Sequence, residues 1–163
     1  MTGKKITILL LISLLILSGC TSFETNRKKN ILETVSSHGN LPNTFNNGNI
    51  AFSMTSDKEA YKLPIDDITL IISNSGSSTV KFGEQRTLEK LQEETWHEIP
   101  YSEQFAFTDI GLGLGAKEHL EQKMPLEFLD YELTAGTYRI VKNFYINEGA
   151  EEIALAAEFE ITK

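Results

Sequence analysis

The chain predicts an all-β fold, an antiparallel β-sandwich of about seven strands, and three observations carry that prediction. Beyond residue 50 the apolar residues recur with period 2 rather than 3.6, as half-buried strands require. Turn formers interrupt the pattern every 8 to 12 residues or so, and no stretch alternates strands with helices as a parallel sheet would need. The segment 50–163 is long enough to bury a core unaided. It has to be, because Cys20 is the only cysteine and no disulfide framework is available.

The two ends of the 163-residue chain differ in character. Lys4 and Lys5 precede an apolar run from Ile6 to Leu17, interrupted only by Thr7 and Ser13. That run fits a signal-peptide core and falls short of the roughly 20 residues a spanning helix needs. Leu17-Ser18-Gly19-Cys20 follows, and it resembles the bacterial lipobox. Small residues suit a peptidase cleft, and the Cys20 thiolate is the nucleophile that lipid transfer requires. The resemblance implies a signal peptide over 1–19 and a lipidated Cys20 that holds the protein on the extracytoplasmic face of the cell membrane. Two or three acyl chains would hold it stably, where one is marginal.

Residues 20–49 read as a lipidated N-terminus and flexible tether. They are polar, with a basic run Arg27-Lys28-Lys29 and coil formers Asn40, Pro42, Asn43, Asn46, Asn47 and Gly48. Asn30 to Val35 has the composition of a short helical turn, too short to stand alone.

The strands follow in order. Ile50, Phe52 and Met54 alternate with Ala51, Ser53 and Thr55; Tyr61 to Pro64 reads as an edge segment ended by proline. Ile68, Leu70 and Ile72 lead to a turn at Asn74-Ser75-Gly76-Ser77, and Val80 and Phe82 rise into Gly83. Residues 87–95 hold good helix formers, but close flanking strands favour a hairpin turning near Glu93 to Thr95, with Trp96 opening the return strand. Lys117 to Met124 is a further strand, and Pro125 to Glu132 a connection with a helical turn. Arg139 to Ile146, a turn at Asn147 to Ala150, and a closing strand complete the set. In that last strand Ile153, Leu155, Ala157, Phe159 and Ile161 share one face.

Leu133 to Val141 carries a more specific expectation. A glycine, Gly136, sits in a polar turn running into a strand, and Tyr138 follows two residues later. That is where a sandwich builds a tyrosine corner, with a buried ring whose hydroxyl bonds back to the upstream backbone.

Several of these pieces together resemble the bacterial immunoglobulin-like domain of Gram-positive envelope proteins and lipoproteins. They are Ser53-Met54-Thr55 with Lys58, Tyr61 to Pro64, Ile68 to Asn74, Leu88 to Leu91 with Trp96, and Tyr131 to Val141. The resemblance covers residues 50–163 and implies an Ig-like sandwich at the cell surface, in a family with no established catalytic role. Ala135 stands where that family usually has proline before the glycine, and the Cys-Trp-Cys core of true immunoglobulins is absent.

Chemistry is sparse. His38, His97 and His119 are widely spaced and lack any zinc-binding pattern, so no metal is expected. Gly111-Leu112-Gly113-Leu114-Gly115 lacks both the dinucleotide spacing and the P-loop lysine, so it reads as a flexible loop and no cofactor is expected. Ser75-Gly76 lacks the G-x-S-x-G elbow of a serine nucleophile. The pairs Asp66/Asp67, Glu93/Glu94 and Glu151/Glu152 read as solvated turn charges, since adjacent strand residues point to opposite faces. Lys142 shares strand parity with Tyr138, Ile140 and Phe144, which calls for a bulge or a place near the sandwich mouth. Residues 1–20 carry two lysines and no acid, so the remainder holds 13 basic against 23 acidic side chains, a net charge of −10. That sign argues against nucleic acid and against polybasic attachment to anionic lipid.

Trp96, Tyr101, Phe105 and Phe107 lie in or near loops, and Phe105 and Phe107 are candidate binding residues. The expected function is a non-enzymatic binding or structural module of the cell envelope, anchored to the membrane through Cys20, with an envelope protein or glycan as partner. The alternative is a protease inhibitor presenting Phe105 to Gly115 and Asn147 to Ala150.

Overall fold

The computed structural model describes residues 31–163. The predicted signal peptide and Cys20 lie outside the described residues. Eleven strands are present among the described residues: β1 (Thr44–Asn47), β2 (Ile50–Ser56), β3 (Ala60–Lys62), β4 (Thr69–Asn74), β5 (Val80–Gly83), β6 (Thr87–Gln92), β7 (Thr95–Glu98), β8 (Gly111–Leu114), β9 (His119–Lys123), β10 (Gly136–Ile146) and β11 (Glu151–Thr162). The expected seven are exceeded because short edge strands such as β1 and β8 carry too little alternation to be read locally.

The strands form two sheets, one ordered β1-β2-β4-β9 and the other β3-β11-β10-β5-β8, with the β6–β7 hairpin paired to β10. Alternating residues of both sheets meet in the core: Phe52, Met54, Leu70 and Ile72 from one, and Leu88, Ile140, Phe144, Leu155 and Phe159 from the other. The arrangement is a sandwich, antiparallel except that β3 runs parallel to the end of β11.

Strand β10 organises the larger sheet. One edge pairs with β11 without interruption from Gly136 opposite Ile161 to Ile146 opposite Glu151. The other edge is shared: residues 138–141 pair with β6, and 144–145 with β5. Lys142 falls at the changeover. Of the two expected accommodations, a bulge is not used, since the β11 register is continuous, and the side chain is buried, at 1% exposed. Its Nζ donates to the carbonyls of Gly83 (2.5 Å) and Gln85 (3.1 Å), in the chain crossing from β5 to β6. A split strand edge leaves such carbonyls without ladder partners, and the buried ammonium supplies one.

The predicted tether is corrected over its described part. Residues 31–43 are a strap built onto the domain, and 44–47 are β1. Val35 bridges His97, the Ser36 amide donates to the Trp96 carbonyl (2.8 Å), and the Glu98 amide donates to that of Thr34 (2.9 Å). The expected helical turn before Val35 is instead extended backbone added to the free edge of β7. Farther on, the carbonyls of Pro42 and Asn43 accept from Ala156 and Met54. The strap therefore leads from β7 to β11 and then into the smaller sheet. Its polar composition reflects binding through backbone groups, with Leu32 as its one side chain in the core cluster.

Candidate functional site

Two glycines shape the edge of the larger sheet. In the β5–β8 register Gly113 lies opposite Lys81 and Gly111 opposite Gly83, and Lys81 is in turn opposite Tyr145 of β10. These residues share the outer face, since Val80, Phe82 and Leu114 on the other parity are buried in the core. A Cβ on Gly111 would meet nothing within 4 Å, and one on Gly113 only Thr79 Cγ2 at 3.5 Å. The fold does not demand glycine there, and its presence leaves the outer surface of β8 bare. The expected flexible loop is thus corrected for residues 111–114: they are an edge strand. Asn74 fixes its end, donating from Nδ2 to the carbonyls of Leu114 (3.0 Å) and Gly115 (2.9 Å) while its Oδ1 accepts from the Gly76 amide. Gly76 is sterically required, because a Cβ there would lie 2.5 Å from the Asn49 carbonyl oxygen.

Beside this bare edge lies a cleft of about 520 Å³, lined by Thr79 and Lys81 to Gln85, by Thr108 to Gly113, and by Tyr145 and Gly149. The two loops singled out from sequence, around 105–115 and 147–150, converge on it. Ile110 and Tyr145 are two of the exposed large hydrophobic residues and both line the cleft. A mostly apolar cleft with a few polar groups is the kind of surface that takes a ligand. Among the described residues no group of three His, Cys, Asp or Glu side chains is placed to hold a metal ion.

Phe105 and Phe107 do not project as free anchors. Phe105 stacks on Tyr101 (4.8 Å) and on Phe128 (4.9 Å), Phe107 meets Tyr101 and Phe105 edge-on, and the Arg86 guanidinium lies 5.1 Å from the Phe107 ring. The four rings pack mainly against each other, with edges left at the surface. Burial pushes the Tyr101 phenol up to about 12. Trp96 opens the return strand β7, as expected, and is buried, with the Arg139 guanidinium 4.3 Å from its ring.

The corner residues have a structural place. Tyr138 is fully buried; its hydroxyl donates to the Thr134 carbonyl (2.7 Å) and accepts from the Thr134 amide (3.1 Å). Gly136 has φ +149°, and a Cβ there would meet Lys90 Cε at 3.2 Å. Lys90 caps the corner, donating to Tyr131 Oη and Thr134 Oγ1. His38 belongs to the strap, His97 to β7 and His119 to β9, and Asp67 pairs with Lys123 at 2.8 Å.

Sequence reasoning missed Lys81, Tyr145 and the paired glycines as one surface. Strand parity would have placed Tyr145 outward, but only the cross-strand register sets it beside β8. A family model described as a bacterial Ig-like domain matches residues 48–160. No curated protein matches the chain.

Proposed function

Because the chain belongs to the bacterial Ig-like domain family, we propose that it serves as a non-enzymatic binding module of the cell envelope, lipid-anchored through Cys20 on the extracytoplasmic face. The observation that carries the binding role is the cleft beside β8, where two loops converge on an edge whose glycines have no packing reason to be glycine. The anchor is supported by Leu17-Ser18-Gly19-Cys20 after an apolar run with a basic start. The partner is an envelope protein or glycan that places an apolar group against Tyr145 and Ile110.

Two measurements test this. Cys20→Ala is expected to move the protein from the membrane fraction to the soluble one or to block its maturation; unchanged lipid labelling would remove the anchor. A photo-crosslinking residue at position 145 is expected to capture an envelope component in cells, and Gly113→Val, which fills the cleft, to abolish that adduct. Crosslinking unaffected by Gly113→Val would show that the cleft is not the binding surface. The inhibitor reading draws on the same convergence of loops. Inhibition of an extracytoplasmic protease by the intact protein, lost in Gly113→Val, would replace the first reading.

A further inference from the structure

Where the strap begins, the chain direction is set by its pairing with β7. Thr34 lies beside Glu98 and Val35 beside His97, so antiparallel geometry carries residues 31–33 toward Ile99 to Tyr101. Tyr101 is the root of the aromatic cluster, and Thr34 shares a hollow with Tyr101, Phe107 and Arg86. The chain therefore leaves toward Cys20 at the aromatic end of the domain, away from the β6–β7 turn.

The exposed apolar residues are not spread evenly. Of the five large ones among the described residues, Ile110 and Tyr145 belong to the cleft. Ile31 (74% exposed), Val35 (57%) and Phe128 (41%) belong to the strap and the aromatic cluster. Ile31 and Val35 share strand parity opposite Leu32, which enters the core.

We propose that this end of the domain, formed by Ile31, Val35 and Phe128, is a seat for the surface of the bilayer. The inference rests on the lipid-anchor reading of Cys20. The occupant follows from the chain leading out of the seat. Residues 21–30 reach at most about 35 Å when fully extended, so the anchor keeps this end within that distance of the lipid. A tether so short raises the effective concentration at the surface to the point where a weak apolar contact is occupied. The net charge of −10 argues against general attraction to anionic lipid, so the contact is apolar. Glu33 lies between Ile31 and Val35 on the same face of the strap and Glu127 precedes Phe128; both carboxylates are exposed, and they keep the seat at headgroup depth and out of the hydrocarbon. Seated this way, the domain has a fixed orientation on the membrane.

The test uses the full-length lipidated protein in phosphatidylcholine vesicles, with an environment-sensitive fluorophore on Glu127→Cys, beside Phe128, or on Lys62→Cys, on β3 at the opposite edge of the larger sheet from β7. Lipid on Cys20 leaves each introduced thiol as the one available for labelling. The label at 127 is expected to shift its emission to the blue and to be quenched by headgroup-level spin-labelled lipid, and the label at 62 to do neither. Adding Ile31→Ser and Val35→Ser is expected to abolish the quenching while the protein still floats with the vesicles. Flotation with no difference between the two labels would overturn the seat and leave the anchor standing. Failure to float would overturn both. Protection at 127 that appears without vesicles and grows with protein concentration would assign the surface to a second copy and overturn the lipid seat.

Discussion

Arg139 Nε donates to Glu89 Oε2 over 2.6 Å, between cross-strand partners on the outer face of β10 and β6, with both side chains sealed from solvent. The remaining guanidinium nitrogens donate to the carbonyls of Gly39 (2.7 Å) and His38 (3.1 Å), and Ser36 Oγ donates to the other carboxylate oxygen (2.7 Å). The strap is what makes this face interior, and the ion pair is what holds the strap. Removing one member leaves a buried charge unpaired, so Glu89→Gln or Arg139→Met is expected to lower unfolding free energy by about 3 to 5 kcal/mol. Replacing both with apolar residues should recover much of that loss. Urea titration checks the magnitudes. Hydrogen exchange at the Ser36 and Glu98 amides should accelerate in the single variants; unchanged exchange would uncouple the strap from the pair.

Tyr138→Phe leaves the amide and carbonyl of Thr134 without their side-chain partner and is expected to cost about 1 to 2 kcal/mol. Gly136→Ala should cost about 1 to 3 kcal/mol, since φ +149° is a glycine conformation and the new Cβ presses on Lys90 Cε. Equilibrium unfolding measures both. Crosslinking from position 145 should survive in Tyr138→Phe, because the corner lies outside the cleft.

Lys142 links stability to alkaline pH. Burial, reinforced by the neighbouring Arg86 charge, lowers its ammonium to about 8. The unfolded amine titrates near 10.4, so between these values the unfolded chain binds more protons. Stability contributed through this group accordingly rises as pH increases from about 8 to about 10. The parent should gain on Lys142→Met over that window in parallel urea titrations. A constant difference between the two proteins would show that the ammonium is not desolvated.

The turn joining β6 and β7 places Glu93 (φ 48°) and Glu94 (φ 65°) in the left-handed region. Two-residue hairpins with both central φ positive favour Asn-Gly. The double change Glu93→Asn and Glu94→Gly should raise stability by about 1 kcal/mol or more. Thermal unfolding detects this as a higher Tm, and a lowered Tm would point to a role for the two carboxylates.

The alternating strands were legible because a residue's face is set locally by the two-residue period of extended chain. The hairpin at Glu93-Glu94 was inferred from the strands that flank it, against the helix formers it contains, and the turn before β10 from Gly136 with Tyr138 two residues on. The tether was misread because its partners are remote. His38 and Gly39 meet Arg139 about a hundred residues away, and a segment bound through backbone groups has the composition of coil. Trp96 was legible as the residue opening the return strand, but nothing in its neighbourhood announces that Arg139 will cover it.

By itself, then, the sequence determined the two-residue rhythm of the sheets, the polar turns, the glycine before Tyr138 and the motif around Cys20. Each depends on neighbours a few positions apart. Only the tertiary structure decided that β10 splits its edge between β5 and β6 and so needs Lys142, that the strap closes over Arg139 and Glu89, and that two loops share one cleft beside Gly111 and Gly113. Those outcomes depend on which strand lies next to which, and cross-strand register brings together residues whose separation in the chain carries no local signal.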